Sequence, residues 1–274
     1  MSNNSSQASP TVKEILKTTG IFHFQDSQLL SKVLPKLTGS HDAAFVFDNK
    51  DTFIGVVSPY HLFKKRSFHG SSKLRTCASM PPKLDLQTSL SKVAQAMIDS
   101  KIHFLPVLNS KFEGIVTIRR LLMYVVDHQL LNHNGNITFS NRKLITAKPD
   151  LSVSQALALF KQQRISKLPV VDDHNSLIGF ISQFDLRDSL DVSQSVGKFD
   201  RKGEKKARLD EPIVNFLVKN VATVNRLPTF SSAAARMLDE EIGSLIVIDS
   251  RNSPIGIVTK IDLLKTIAST QSLT

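Results

Sequence analysis

The chain has 274 residues, 41% of them hydrophobic, one cysteine, a formal net charge of +11 and a pI near 9.8. That length suits two domains better than one, and its apolar content can bury real cores. Cys77 has no partner for an internal disulfide and reads as a packing residue, no Cys or His cluster stands at zinc-ligand spacing, and no apolar run reaches the roughly 18 residues of a membrane span.

The start, MSNNSSQASP, has neither the basic nor the apolar region of a secretory signal, so residues 1–10 read as a disordered tail and the protein as cytoplasmic. Residues 11–135 hold a first pair of units, about 11–66 and 73–131. In the first, Leu30, Val33, Leu34 and Leu37 recur at helical spacing, AFVFD reads as a strand, DNKDTFIG as a turn, and a second apolar run begins at Gly55. The basic stretch FKKRSFHGSSKLR, Phe63 to Arg75, lacks apolar periodicity and reads as a linker. The second unit repeats the order with Leu90, Val93, Ala94 and Met97 on a helix, the strand FLPVLN, and GIVTIRRLL from Gly114.

Residues 136–274 hold a second pair, about 141–190 and 211–269, joined by a basic linker over 191–210. The third unit has a short strand around Ile145 and Thr146, a helix carrying Val153, Ala156, Leu157 and Phe160, the strand LPVVD, the turn DDHNSLIG, a run from Gly179 and a helix in FDLRDSL. The fourth has Thr223 and Val224, then Phe230, Ala233, Ala234 and Met237, then LIVID, DSRNSPIG, a run from Gly256 and the helix IDLLKTI. Thr146 and Thr223, Gly179 and Gly256, Ser182 and Thr259, and Asp185 and Asp262 are all 77 residues apart. An ungapped register of that kind marks a repeat. The unit is strand, helix, strand, strand, helix, an α/β (α+β) fold. Its helices cover one face of a small sheet, so pairing is the simplest way to bury the other.

The third and fourth units close on a shared pattern: glycine, a hydroxyl three residues on, and a carboxylate three further on. Two readings suit it. A hydroxyl followed three residues later by an acid is a capping box. An ionised carboxylate also offers two acceptors to adjacent ribose hydroxyls, while a hydroxyl and free helix amides suit a phosphate. Capping boxes prefer Glu or Gln over Asp, and the Asp recurs in only two of four parallel units, Ser58 and Thr117 being followed by His61 and Arg120. The glycine reads as keeping a side chain out of the cleft.

Four units closing in this way resemble cystathionine beta-synthase (CBS) domains, arranged as two Bateman modules. The resemblance implies a cleft in each pair that takes an adenosine-containing ligand: AMP, ADP, ATP or S-adenosylmethionine. It places Asp185 and Asp262 on the ribose, Ser182 and Thr259 at the phosphate, Thr146 and Thr223 beside adenine, and Lys167 toward the phosphates. His103 falls near the matching spot in the second unit. His61 and Arg120 take the carboxylate's place in the first pair, which puts nucleotide binding there in doubt.

No P-loop, HExxH or nucleophile elbow is present, so the expectation is a regulatory protein and not an enzyme, without catalytic cofactor or metal. It would sense adenylate status allosterically and signal to a partner protein or through a homodimer. The basic charge makes nucleic acid a secondary expectation, weakened by the absence of Trp and the presence of only two Tyr as stacking platforms. A purely structural scaffold is the remaining alternative, and membrane insertion is not expected.

Overall fold

A computed structural model describes residues 9–37, 43–58, 70–131, 137, 144–183, 186, 207–270 and 273. The described residues fall into two compact units, one within Met1–Thr138, Thr229–Asp239 and Lys260–Thr274, the other within Phe139–Pro228 and Glu240–Thr259. The described parts of all four copies combine helices and strands, as the repeat predicts. The helix expected in FDLRDSL, His61, Asp185 and most of both basic stretches lie outside the described residues.

In the first unit, β1 (His23–Gln25) runs parallel to β2 (Ala44–Phe47), and β3 (Phe53–Val57) returns antiparallel to β2. The expected helix over Leu30 to Leu37 is only partly regular: after α1 (Val12–Ile15), α2 spans Leu30–Val33, and Leu34–Leu37 tightens into a 3-10 turn. Pro35 explains the change, because it has no N–H to continue the α-helical ladder. The same unit holds α3 (Leu74–Cys77), α4 (Leu90–Ser100), the β4 (Phe104–Leu108) and β5 (Phe112–Thr117) hairpin, and α5 (Ile118–Asp127). Leu90, Val93, Ala94 and Met97 are fully buried, as their spacing predicts.

In the first unit two short segments cross between neighbouring copies, and in the second Val218 bridges Phe180 in the same way. The amide of Val12 donates to Thr88, and Lys17 bridges Ile115 in the second copy, both at 2.9 Å. Conversely, Ser79 bridges Val56 in the first copy, and Arg75, from the stretch read as a linker, pairs with Asp26. That end of the linker is therefore structural: Leu74 and Cys77 join the core of the first copy with Phe24, Leu30 and Val46. Burial raises the Cys77 thiol pKa, in keeping with a packing residue.

These crossings account for the recurrent glycine. A Cβ on Gly114 would stand 2.4 Å from the Lys17 carbonyl oxygen, and Gly114 has φ +154°. At Gly55 the distance is 2.8 Å to Ser79 O, and at Gly179 it is 3.0 Å to Val218 O. At Gly55, Gly114 and Gly179 the missing side chain thus admits the crossing backbone.

In the second unit, α6 (Val153–Gln163) precedes the hairpin of β6 (Lys167–Val171) and β7 (Leu177–Ser182). β8 (Thr223–Val224) runs parallel to β9 (Ser244–Ile248), and β10 (Pro254–Thr259) is antiparallel to β9. The strand expected at Ile145 and Thr146 reduces to a single parallel bridge from Ala147 to Val170. The reason is Pro169. At the equivalent place in the fourth copy the Ile246 amide donates to Ala222 at 3.0 Å, a bond proline cannot make. Pro106 has the same effect in the second copy, where only Leu84 bridges Val107. Leu209, placed by sequence in the basic linker, packs against the core of Val153, Ala156, Phe160 and Leu168.

The fourth copy's helices, α7 (Phe230–Asp239) and α8 (Lys260–Ala268), belong to the first unit, where α8 packs on α4 and α7 on α5. The Arg119 guanidinium donates to Leu238 O at 3.0 Å.

Candidate functional site

Across each hairpin the register sets fixed pairs. Lys167 stands opposite Ser182, and Ser244 opposite Thr259, the same two positions in successive copies. Paired residues project to one face of a sheet. Each pair therefore presents its polar groups side by side where the second strand ends. The two pairs are joined directly, because the Lys167 ammonium donates to Ser244 Oγ at 2.7 Å. The ring of Phe180, two residues before Ser182 on the same face, lies 5.3 Å from the same nitrogen. A Cβ on Gly243 would stand 3.2 Å from it, so the lack of a side chain there leaves the lysine room.

Strand register thus places Ser182 opposite Lys167 and Thr259 opposite Ser244, and one hydrogen bond joins the two pairs. Ser244 and Phe180 are the residues the sequence reading missed. A usable signal existed for Ser244: the 77-residue register that carries Ser182 onto Thr259 also carries Lys167 onto Ser244. Thr223, on β8, pairs with Ile246 of β9, two residues along from Ser244, which puts it on the same face of the sheet. Thr146 is half-buried and directly precedes the Ala147 bridge. Asp262 lies in the first turn of α8, 7% exposed, with Lys265 Nζ 3.7 Å from its carboxylate. Asp185 is outside the described residues.

The first pair of copies is built differently at each equivalent place. Ala43 and Phe104 occupy the register position of Lys167 and Ser244. His103 stands one residue earlier, at the position of Ser166, with its carbonyl accepting from Ile118 N at 2.9 Å. The register place of Thr223 belongs to His23, whose ring stacks on Phe47 at 4.3 Å and meets Phe112 edge-on at 5.8 Å. Phe47, Phe53 and Phe112 lie within 5.1–5.6 Å of one another. Arg120 donates from Nε to Ile15 O at 2.8 Å, while Thr117 Oγ1 accepts from the Arg120 amide at 3.2 Å and caps α5. Here hydroxyl and basic residue serve the chain itself.

Among the described residues, no group of three or more His, Cys, Asp or Glu is placed to hold a metal ion. No described helix is long and apolar enough to cross a membrane. The CBS domain family matches residues 78–127, 136–192 and 214–269, more than half of the chain. This chain belongs to the CBS domain family. Its first copy lies outside the matched residues, yet forms a three-stranded sheet in the same order as the fourth CBS copy.

The uncharacterized protein MJ1404 of Methanocaldococcus jannaschii is 27% identical over 177 residues, 63% of this CBS chain. Inosine-5'-monophosphate dehydrogenase of Mycobacterium tuberculosis is 31% identical over 122 residues, 44% of this chain and 20% of that enzyme. The match spans 41%, 49% and 46% of the lengths of MJ1404 and two further M. jannaschii relatives, less than half of each. The crystal structure of M. jannaschii protein MJ1225 superposes with a TM-score of 0.71 at 18% identity, covering 93% of this chain and 99% of that one. A conserved Pyrococcus horikoshii protein gives 0.61 at 19% identity, over 94% and 100%. These two likenesses concern the fold alone.

Proposed function

We propose that the second CBS pair, residues 136–274, is the receptor of a non-catalytic regulatory protein that binds an adenosine-containing ligand: AMP, ADP, ATP or S-adenosylmethionine. Occupancy is passed allosterically to a partner protein or through a homodimer. The observation that carries this reading is the meeting of Lys167 with Ser244, each opposite a further hydroxyl, Ser182 or Thr259. One ammonium and three hydroxyls present the donors an oxyanion needs. Thr146 and Thr223 line the adenine, and Asp185 and Asp262 accept from the ribose hydroxyls. Against a nucleotide in the first pair stand Ala43 and Phe104 at the register place of Lys167 and Ser244, and the engagement of Arg120 with Ile15. A reading as a nucleic-acid binder rests on net charge alone, and most of both basic stretches lies outside the described residues.

Calorimetric titration of the four ligands into wild type and an Asp185→Ala, Asp262→Ala double variant tests this. Binding by wild type should weaken in the variant by about 1.5 to 3 kcal/mol, tenfold or more, through loss of charge-assisted bonds. Equal binding by both proteins removes the carboxylates from the site, and no heat from folded wild type with any ligand refutes the receptor reading.

A further inference from the structure

The first turn of α5 carries Arg119 and Arg120 and no acid. Cations are disfavoured there, because the free amides of a helix N-terminus make it the positive end. In the fourth copy the place of Arg120 belongs to Asp262, the sign that such a position favours. Two arginines in succession break a local rule, and breaks of that kind are sustained by contacts made elsewhere.

Both contacts are with the opposite end of another helix. Arg119 donates from Nη1 to Leu238 O at 3.0 Å, in the last turn of α7, and Arg120 donates from Nε at 2.8 Å to the carbonyl of Ile15, the last residue of α1. Carbonyls at a helix C-terminus lack intrahelical donors and suit a guanidinium. One helical turn thus holds elements from the two ends of the chain. The turn is itself fixed, since Thr117 Oγ1 accepts from the Arg120 amide at 3.2 Å and the Ile118 amide donates to His103 O at 2.9 Å. A displacement of it moves both arginines. On one side lies the N-terminal segment, seated on the second copy by the Val12 bond to Thr88 and the two bonds between Lys17 and Ile115, each at 2.9 Å. On the other lies α7 of the fourth copy, which ends at Asp239, with Ser244 opening β9 beyond it.

We infer that Arg119 and Arg120 form a conformational junction: a shift in the last turn of α7 is felt by the N-terminal segment, and a shift of that segment is felt by α7. Its use as the route by which occupancy leaves the second CBS pair rests on the receptor reading above; the coupling itself does not.

Native-state hydrogen exchange on the full chain without ligand tests the junction in Arg119→Ala, Arg120→Ala and the double variant, with β2 as the reference for general loss of stability. Arg119→Ala should quicken exchange about tenfold in the last turn of α7, where a charged hydrogen bond is lost. It should also quicken the Lys17 amide, whose own bond is to Ile115, by about threefold or more. Arg120→Ala should act in the reverse sense, and the double variant should change each amide by less than the product of the single effects. If an alanine variant fails to fold, Arg119→Lys and Arg120→Lys are read in the same way, since lysine keeps the charge and lacks the planar fork. Effects confined to each arginine's own partner, multiplying effects in the double variant, or an equal rise at every amide with β2 included would each overturn the junction and leave the receptor reading standing.

Discussion

The aspartate that opens three of the hairpin turns binds two backbone amides through one carboxylate oxygen: Asp48 those of Lys50 and Thr52, Asp172 those of His174 and Ser176, Asp249 those of Arg251 and Ser253. The chain then turns through a left-handed residue, Asp51, Asn175 or Asn252, types that tolerate it. The Thr52 amide holds the Asp48 carboxyl below the ordinary aspartate value of 3.8, and the Ser253 amide does the same for Asp249. Their stabilising contribution is complete above 3.8 and is lost as pH falls through the lower folded values. A carboxyl NMR titration should place both transitions below those of unfolded peptides that carry the same aspartates, and transitions at the ordinary value would argue against the amide bonds. These turns were legible from residue type alone. The glycine beside them was visible too, but its reason was not, since the carbonyl of Lys17 that crowds Gly114 is remote in sequence. Gly114→Ala should cost about 1–3 kcal/mol through strain at φ +154°, measured by chemical denaturation. Gly179→Ala, with a longer approach, should cost less.

At the scale of elements, apolar spacing located the helices and their inner faces because a helix's burial pattern is local. It could not foresee what interrupts them. Pro35 and Pro169 are in plain view, yet their effect depends on which N–H the ladder needed, a matter of register. The capping reading of the motif holds for α5, where Thr117 accepts from the Arg120 amide. Thr117→Ala should therefore lower stability by about 1 kcal/mol, read from thermal or urea unfolding. Arg120 has a separate role as a clamp on the N-terminal segment. In Arg120→Ala, hydrogen exchange should quicken at the Lys17 amide, which donates to Ile115 at 2.9 Å, while the β4–β5 hairpin stays protected. Unchanged exchange at Lys17 would mean that the bond to Ile15 contributes nothing to docking that segment.

For the whole molecule, the fourth copy divides its parts: β8, β9 and β10 lie in the second compact unit, and α7 and α8 in the first. Leu264, fully buried on α8, contributes to a unit made otherwise by α7 and the first half of the chain. Leu264→Ala should destabilise by about 2–5 kcal/mol. Native-state hydrogen exchange should show the loss in α4, the helix that α8 packs against. Protection of α4 as in wild type would mean that the two helices do not form one cooperative unit.

The sequence by itself determined the repeat, its register, the type of its longer elements and the residues facing each core, because periodicity and turn chemistry act over a few residues and recur every copy. It also proposed Lys167, Ser182 and Thr259 as partners. Tertiary structure alone decided that Lys167 meets Ser244, that Arg120 is engaged with Ile15, that aromatic rings cluster in the first pair, and that short segments cross between copies. Each of those contacts joins residues far apart in the chain, where burial and hydrogen-bond geometry choose the partner and no local pattern records the choice.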